Sequence, residues 1–312
     1  MCNVTISTYD FFKKFPDEQA AIEHIEQRRW NGSPACPFCG SQNRIQQRKL
    51  RPYYRCLACK KDFTVRTGTV FERSHVPLHK WLYALYLVVT ARKGISSLQL
   101  SKELGVRQGT AWFMLQRIRE ACRKDDDDQG SDFLRGIVEV DETYIGGKES
   151  NKHGSKKLKA GRGTVGKTAV IGMRQRTGKL RASLLENTSV KAIHAAVTSV
   201  VAPGSILCTD EHAGYRGMPQ YDHKSVCHSA KQFVDGMAHT NSIESVWAVL
   251  KRGFYGVYHS FSAKHLQRYI SEFAFRLNEG NCKNRTLDRI DSFLVKMSGT
   301  RITYKTLTTN RQ

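Results

Sequence analysis

Acidic residues are scarce in this chain. Against 50 Lys and Arg there are 28 Asp and Glu in 312 residues, a formal net charge of +22. With a pI near 9.8, that imbalance points to a polyanionic partner. Because the basic residues are spread over the whole length, nucleic acid fits better than a localised membrane patch. Long apolar runs are missing as well: the longest, residues 81–91, is too short to span a bilayer. The N-terminus lacks a charged stretch followed by an apolar one, so a soluble, intracellular protein is expected. A disulfide framework is disfavoured, since the nine cysteines are an odd number and four lie in two Cys-x-x-Cys pairs. That usage suits a metal site in a reducing compartment. The length allows two or three domains, each with its own core.

The first of these is marked by the cysteines. Cys36-Pro37-Phe38-Cys39 and Cys56-Leu57-Ala58-Cys59 are two turns that each aim two thiolates at one tetrahedral ion. They predict a small zinc ribbon over residues 31–74 with a basic, aromatic strand at 48–55. A redox dithiol would be a single pair at a helix start. Ahead of the ribbon, residues 1–30 form a helical segment whose positions 9–30 read as one amphipathic helix. Behind it, residues 75–124 read as all-α: a buried helix at 77–91, a short helix at 96–104, a turn at Gly105-Val106 and a longer helix at 107–122. This is helix-turn-helix order, in which the last helix offers Arg107, Gln108, Thr110, Gln116 and Arg117 to a major groove. Residues 125–132, with four consecutive aspartates, read as an acidic linker.

The second half alternates differently. Residues 136–144 read as a strand, then a turn, with Asp141 ending the apolar run; Glu139 and Asp141 point the same way, so either qualifies as a ligand. A lysine- and glycine-rich loop at 148–167 contains the phosphate-loop pattern ending in Gly166-Lys167-Thr168, but a strand rather than a helix is expected to follow it. Next come a hairpin at 168–174 and 179–186, a helix at 190–201 capped by Ser189, a strand ending at Asp210, and a strand at 221–228. A helix entered from His239 carries Glu244 and Lys251 on one polar face. Strand, hairpin, helix, strand, strand, helix is the order of a ribonuclease-H-like α/β domain with a mixed sheet, here residues 133–280. A covering helix at 265–277, capped by Ser262, and a basic tail at 281–312 complete the chain. Two strand-end aspartates and a helical glutamate, Asp141, Asp210 and Glu244, suit a pair of divalent metals arranged for in-line attack on a phosphodiester. Plainer roles exist: Asn241 and Glu244 have capping-box spacing, and Asp210 can cap a turn.

The motifs Val138-Glu139-Val140-Asp141-Glu142-Thr143-Tyr144-Ile145-Gly146-Gly147, Thr209-Asp210 and His239-x-Asn241-x-x-Glu244-x-x-Trp247-x-x-Leu250-Lys251-Arg252 occur in order. With Gly256-x-Tyr258-His259 and Lys264-His265-Leu266-x-Arg268-Tyr269 behind them, the chain resembles the ISXO-like insertion-sequence transposases over about residues 10–280. The resemblance extends to the zinc ribbon of Cys36, Cys39, Cys56 and Cys59. It implies a DDE triad of Asp141, Asp210 and Glu244 followed by the basic Lys251. Asn241, one turn ahead of Glu244, is the rival for the third place. The implied cofactors are two Mg²⁺ per active site, with Mn²⁺ as a substitute, and one structural Zn²⁺. The implied partner is double-stranded DNA, both terminal inverted repeats and target, with Arg252, His239 and Asn241 touching it. Joining two ends calls for a homodimer or larger assembly, acting in the cytoplasm on DNA. The competing functions are a DNA-binding regulator descended from an inactive transposase and a simple metal-dependent nuclease.

Overall fold

The computed structural model describes residues 5–48, 53–127, 133–147, 153–158, 163–226, 239–280, 284–299 and 301–309. The chain forms two compact units. One comprises Met1–Ala91, Ile95–Cys122 and Glu279–Gln312; the other comprises Arg92–Gly94 and Arg123–Asn278. Among the described residues no helix is long and apolar enough to cross a membrane.

The first unit begins with two helices where the periodicity predicts one, α1 (Thr8–Lys14) and α2 (Glu18–Trp30). Pro16 has no amide hydrogen to continue a helix, and the carboxylate of Asp17 restarts it by accepting from the Ala20 amide at 2.9 Å. The ribbon is an antiparallel sheet of β1 (Ile45–Gln47), β2 (Tyr54–Cys56) and β3 (Asp62–Phe63). Its core is small, with Tyr54, Phe63, Cys36 and Cys56 buried against Trp30 and Ile45. Such a core is too little to hold a fold without a metal staple. Then follow α3 (Leu78–Thr90), α4 (Ser97–Leu104) and α5 (Gln108–Asp127). Ser96 caps α4, and Gly105 ends it at φ +62°, a left-handed position suited to glycine. Where an acidic linker is expected from residue 125, α5 runs on to Asp127; residues 128–132 lie outside the described ones.

The second unit is built on a five-stranded sheet ordered β6-β5-β4-β7-β8. Its strands are β4 (Ile137–Ile145), β5 (Thr168–Gln175), β6 (Leu180–Leu185), β7 (Ile206–Thr209) and β8 (Asp222–Ser225). β4, β5 and β6 pair antiparallel, whereas β7 runs parallel to both β4 and β8. This mixed order is the ribonuclease-H-like one. β4 and β5 alternate between two cores. Val138 and Val140, with Ile171 and Met173, pack with Ile193 and Val197 of α6 (Val190–Thr198). Ile145 and Val170 pack on the other face with α7 (Asn241–Gly253) and α8 (Leu266–Glu279). Two-residue periodicity therefore puts Glu139 and Asp141 on the α7 face. The phosphate-loop pattern leads into β5 with no helix behind it. Ser262 makes no side-chain cap bond; a short 3-10 turn, Ala263–His265, comes before α8 instead.

The C-terminal residues belong to the first unit. The residues read as a basic tail form α9 (Thr286–Lys296) and α10 (Tyr304–Thr308). The reason is an apolar stripe of Ile290, Phe293 and Leu294, each at most 1% exposed. Asp291 of α9 also meets two basic groups of α2, His24 Nε2 at 2.7 Å and Arg28 at 2.8 Å.

Candidate active site and zinc centre

The Sγ atoms of Cys36, Cys39, Cys56 and Cys59 all lie within 4.8 Å of one another. Cys36 and Cys59 are 3.6 Å apart, as are Cys39 and Cys56. Four sulfurs at about 2.3 Å from one ion stand roughly 3.8 Å apart at the corners of a tetrahedron, so the cluster fits zinc. The backbone amides of Cys59 and Ala58 draw the Cys56 thiol down to about 6, towards the thiolate that a metal requires.

In the second unit, Asp141 stands in the middle of β4 rather than at a strand end as expected, because β5 pairs with β4 all the way to Ile145, whereas Asp210 does follow the end of β7. Glu139 pairs with Cys208 in the parallel register, which sets Asp141 abreast of Asp210 just past the end of β7. Burial, then the charges of Glu142 and Asp210, lift the Asp141 carboxyl to about 7. Both of its oxygens are held: Oδ1 accepts from the Glu142 amide at 2.8 Å and Oδ2 from Trp247 Nε1 at 3.0 Å. Asp210 Oδ1 accepts from the His212 amide at 3.1 Å, the turn-capping bond its sequence context allows.

Glu139, equally eligible from strand periodicity, is committed elsewhere. Its fully buried carboxylate sits at the N-terminus of α7, where Oε2 accepts from the Ser242 amide (2.8 Å), the Ser242 hydroxyl (2.8 Å) and the Ile243 amide (3.1 Å). Oε1 accepts from Arg176 Nε at 3.0 Å. Thr240, the N-cap residue, makes no side-chain cap bond, so Glu139 satisfies the helix amides that a local cap ordinarily would. Glu142 points to the opposite face, where the Tyr215 hydroxyl donates to Oε2 and His212 Nδ1 lies 3.7 Å from Oε1.

Glu244 lies exposed on the first turn of α7, and its Oε1 accepts from the Thr240 hydroxyl at 2.9 Å. Asn241 is the first helical residue rather than the N-cap and is exposed. Among the described residues only the four cysteines form a group tight enough to hold an ion, so Asp141, Asp210 and Glu244 do not close into one cluster. Lys251 and Arg252 are exposed in the last turn of α7.

Three expected DNA contacts need correction. Gln116 is 0% and Arg117 7% exposed; Arg117 donates to the Val70 carbonyl at 2.9 Å and stacks over Phe113 at 4.3 Å. Helical spacing alone cannot tell an outward polar residue from one that satisfies a buried carbonyl. His239 turns inward, Nδ1 lying 3.2 Å from Glu139 Oε1, while its own carbonyl accepts from Arg176. Arg107 and Gln108 are exposed and Thr110 half-buried at the start of α5. Sequence reasoning missed the hydrogen bond from Trp247, which entered as a residue of the family motif, and the capping role of Glu139. A carboxylate flanked by two buried valines, Val138 and Val140, was the available signal for the second.

A ribonuclease-H-like sheet that sets two aspartates abreast fits a DDE transposase domain. The comparisons agree. Residues 133–278 match the ISXO2-like transposase domain and residues 16–62 the transposase zinc-ribbon domain, so the chain carries an ISXO2-like transposase domain behind a transposase zinc ribbon. An uncharacterized protein in transposable element ISH50 of Halobacterium salinarum is 29% identical over 278 residues, covering 85% of this chain and 92% of that protein. Two solved structures show weaker likeness. A simian T-cell lymphotropic virus intasome in complex with PP2A regulatory subunit B56 gamma has TM-score 0.28 and 10% identity, covering 61% of this chain and 65% of that one. The Mos1 strand transfer complex has TM-score 0.29 and 13% identity, covering 71% and 79%. The strand order, not these superpositions, defines the fold.

Proposed function

We propose that the chain binds the ends of its insertion sequence and catalyses metal-dependent DNA strand cleavage and strand transfer. The observation that carries this reading is Asp141, a mostly buried carboxylate set abreast of Asp210 and lifted to about 7 by burial and by neighbouring negative charge. Crowded carboxylate oxygens of this kind suit a hard divalent cation. Mg²⁺ or Mn²⁺ held by Asp141, Asp210 and Glu244, two ions per site, would activate the attacking oxygen and stabilise the leaving one.

The residues of the chain divide the remaining work. Asp141 offers a free lone pair on each oxygen, the property a bridging ligand needs. Asp210 and Glu244 would each help to hold an ion, Glu244 once its carboxylate is released from the Thr240 hydroxyl. Glu142 is excluded from the ligand set because Tyr215 holds it on the opposite face. Lys251 and Arg252 contact phosphate without occupying a coordination position, and Asn241 contacts DNA beside Glu244. The zinc ribbon with Arg107, Gln108 and Thr110 holds the terminal repeats. Two ends must meet, so the working form is a homodimer or larger, in the cytoplasm on DNA.

The test incubates labelled DNA bearing the element's ends with Mg²⁺ and a target plasmid, comparing the native protein with Asp141→Ala. Ends nicked and joined by the native protein alone support the reading. Equal binding by both proteins with no cutting by either overturns it in favour of a DNA-binding regulator, and cutting without joining favours a nuclease.

A further inference from the structure

Trp247 and Gly172 form a device that the triad does not include. The Trp247 indole is 4% exposed and donates its single N–H to Asp141 Oδ2 at 3.0 Å. The Glu142 amide holds the other oxygen at 2.8 Å. A carboxylate has about four lone-pair sites, so one donor at each oxygen fixes its rotation and leaves each oxygen able to bind an ion. Directly opposite Asp141 in the β4–β5 register stands Gly172. A Cβ there would lie 2.6 Å from both Cζ2 and Cη2 of Trp247 and 2.9 Å from Ile243 Cδ1. The missing side chain is therefore what lets the indole lie on the sheet with its N–H turned to Asp141.

We infer that Trp247 is a positioning residue that orients Asp141 for divalent-cation binding, and that Gly172 is the slot that admits it. This rests on the reading that Asp141 is a metal ligand. A ring that only filled the core would not need a nitrogen, since phenylalanine or leucine packs a sheet as well. The N–H is the group whose loss separates the two roles.

The experiment measures Mn²⁺ affinity of the full-length, zinc-loaded protein from the free-ion paramagnetic resonance signal, together with quenching of tryptophan emission. The chain has four tryptophans, and paramagnetic Mn²⁺ beside Asp141 should quench Trp247, a signal that Trp247→Phe lacks. Trp247→Phe is expected to weaken Mn²⁺ binding about tenfold, as for loss of one hydrogen bond to a charged group. Replacing Trp247 with 3-benzothienylalanine keeps the bicyclic shape without the N–H and should weaken binding equally. Gly172→Ala should weaken it too, whereas the double variant with Trp247→Phe should be no worse than Trp247→Phe alone, because the smaller ring does not reach the new methyl.

Native affinity in Trp247→Phe, or restoration by the benzothienyl residue, overturns the inference. Should Gly172→Ala not fold, the two tryptophan replacements decide the matter by themselves. Asp141→Ala distinguishes the failures. If it loses Mn²⁺ while the tryptophan variants keep it, only the positioning role falls; if it keeps native affinity, Asp141 is no ligand and the underlying reading falls as well.

Discussion

Replacing Asp141 with asparagine should alter stability in a pH-dependent way that follows from its surroundings. The folded carboxyl titrates at about 7 against 3.8 for the free group. A folded pKa above the unfolded one means that the folded protein keeps this proton longer. The stability linked to it is fully present below the unfolded value and is lost as pH rises through the folded one. At 1.36 kcal/mol per tenfold step, the whole effect is roughly 4 kcal/mol, of which roughly 2–3 kcal/mol falls between about pH 5 and about pH 8. Asparagine does not titrate, but it accepts from only one of the two donors, the Glu142 amide and Trp247 Nε1. The donor left over costs about 1–3 kcal/mol at every pH. The variant should therefore match the native protein near pH 5 and be about 2 kcal/mol more stable near pH 8. Thermal melting followed by circular dichroism, without added divalent cations, should show the gap between the two proteins widen by roughly 5–10 °C over that range. Histidines and other groups that titrate there are common to both proteins and cancel in the difference. Added Mg²⁺ should stabilise the native protein alone. A gap that stays constant from pH 5 to pH 8 would refute the argument that Asp141 is charged at a cost.

Glu139→Ala leaves Arg176 and two helix amides without their buried acceptor and should cost about 3–5 kcal/mol, measured as a fall in melting temperature with zinc content unchanged. Arg107→Ala should weaken binding to DNA of any sequence and lower the slope of log affinity against log salt by about one. Arg117→Ala should lower the melting temperature instead, because its guanidinium serves the Val70 carbonyl; a changed salt slope with native stability would return it to the DNA surface. Cys56→Ser should abolish stoichiometric zinc, read with a colorimetric chelator, and unfold the ribbon, whose own core is too small to persist without the ion.

What was legible from residues alone was whatever depends on short-range spacing. The Cys-x-x-Cys turns, the cap at Ser189, the β5–β6 hairpin and the period-two alternation of β4 are local, and they appear where the sequence puts them. The element order likewise implied the mixed sheet, since each strand or helix announces itself by its own periodicity. Tertiary structure decided what depends on partners distant in the chain. Glu139 and Asp141 share one face and one spacing, and only the approach of α7, a hundred residues later, makes the first a helix cap and leaves the second beside Asp210. Gln116 and Arg117 look like groove readers on a helical wheel until a neighbouring carbonyl and the core claim them. The tail expected after residue 280 becomes α9 because its apolar stripe meets a surface that no local pattern describes. Periodicity tells a side chain which way to point, whereas the chemistry of what it meets there is a property of the folded chain.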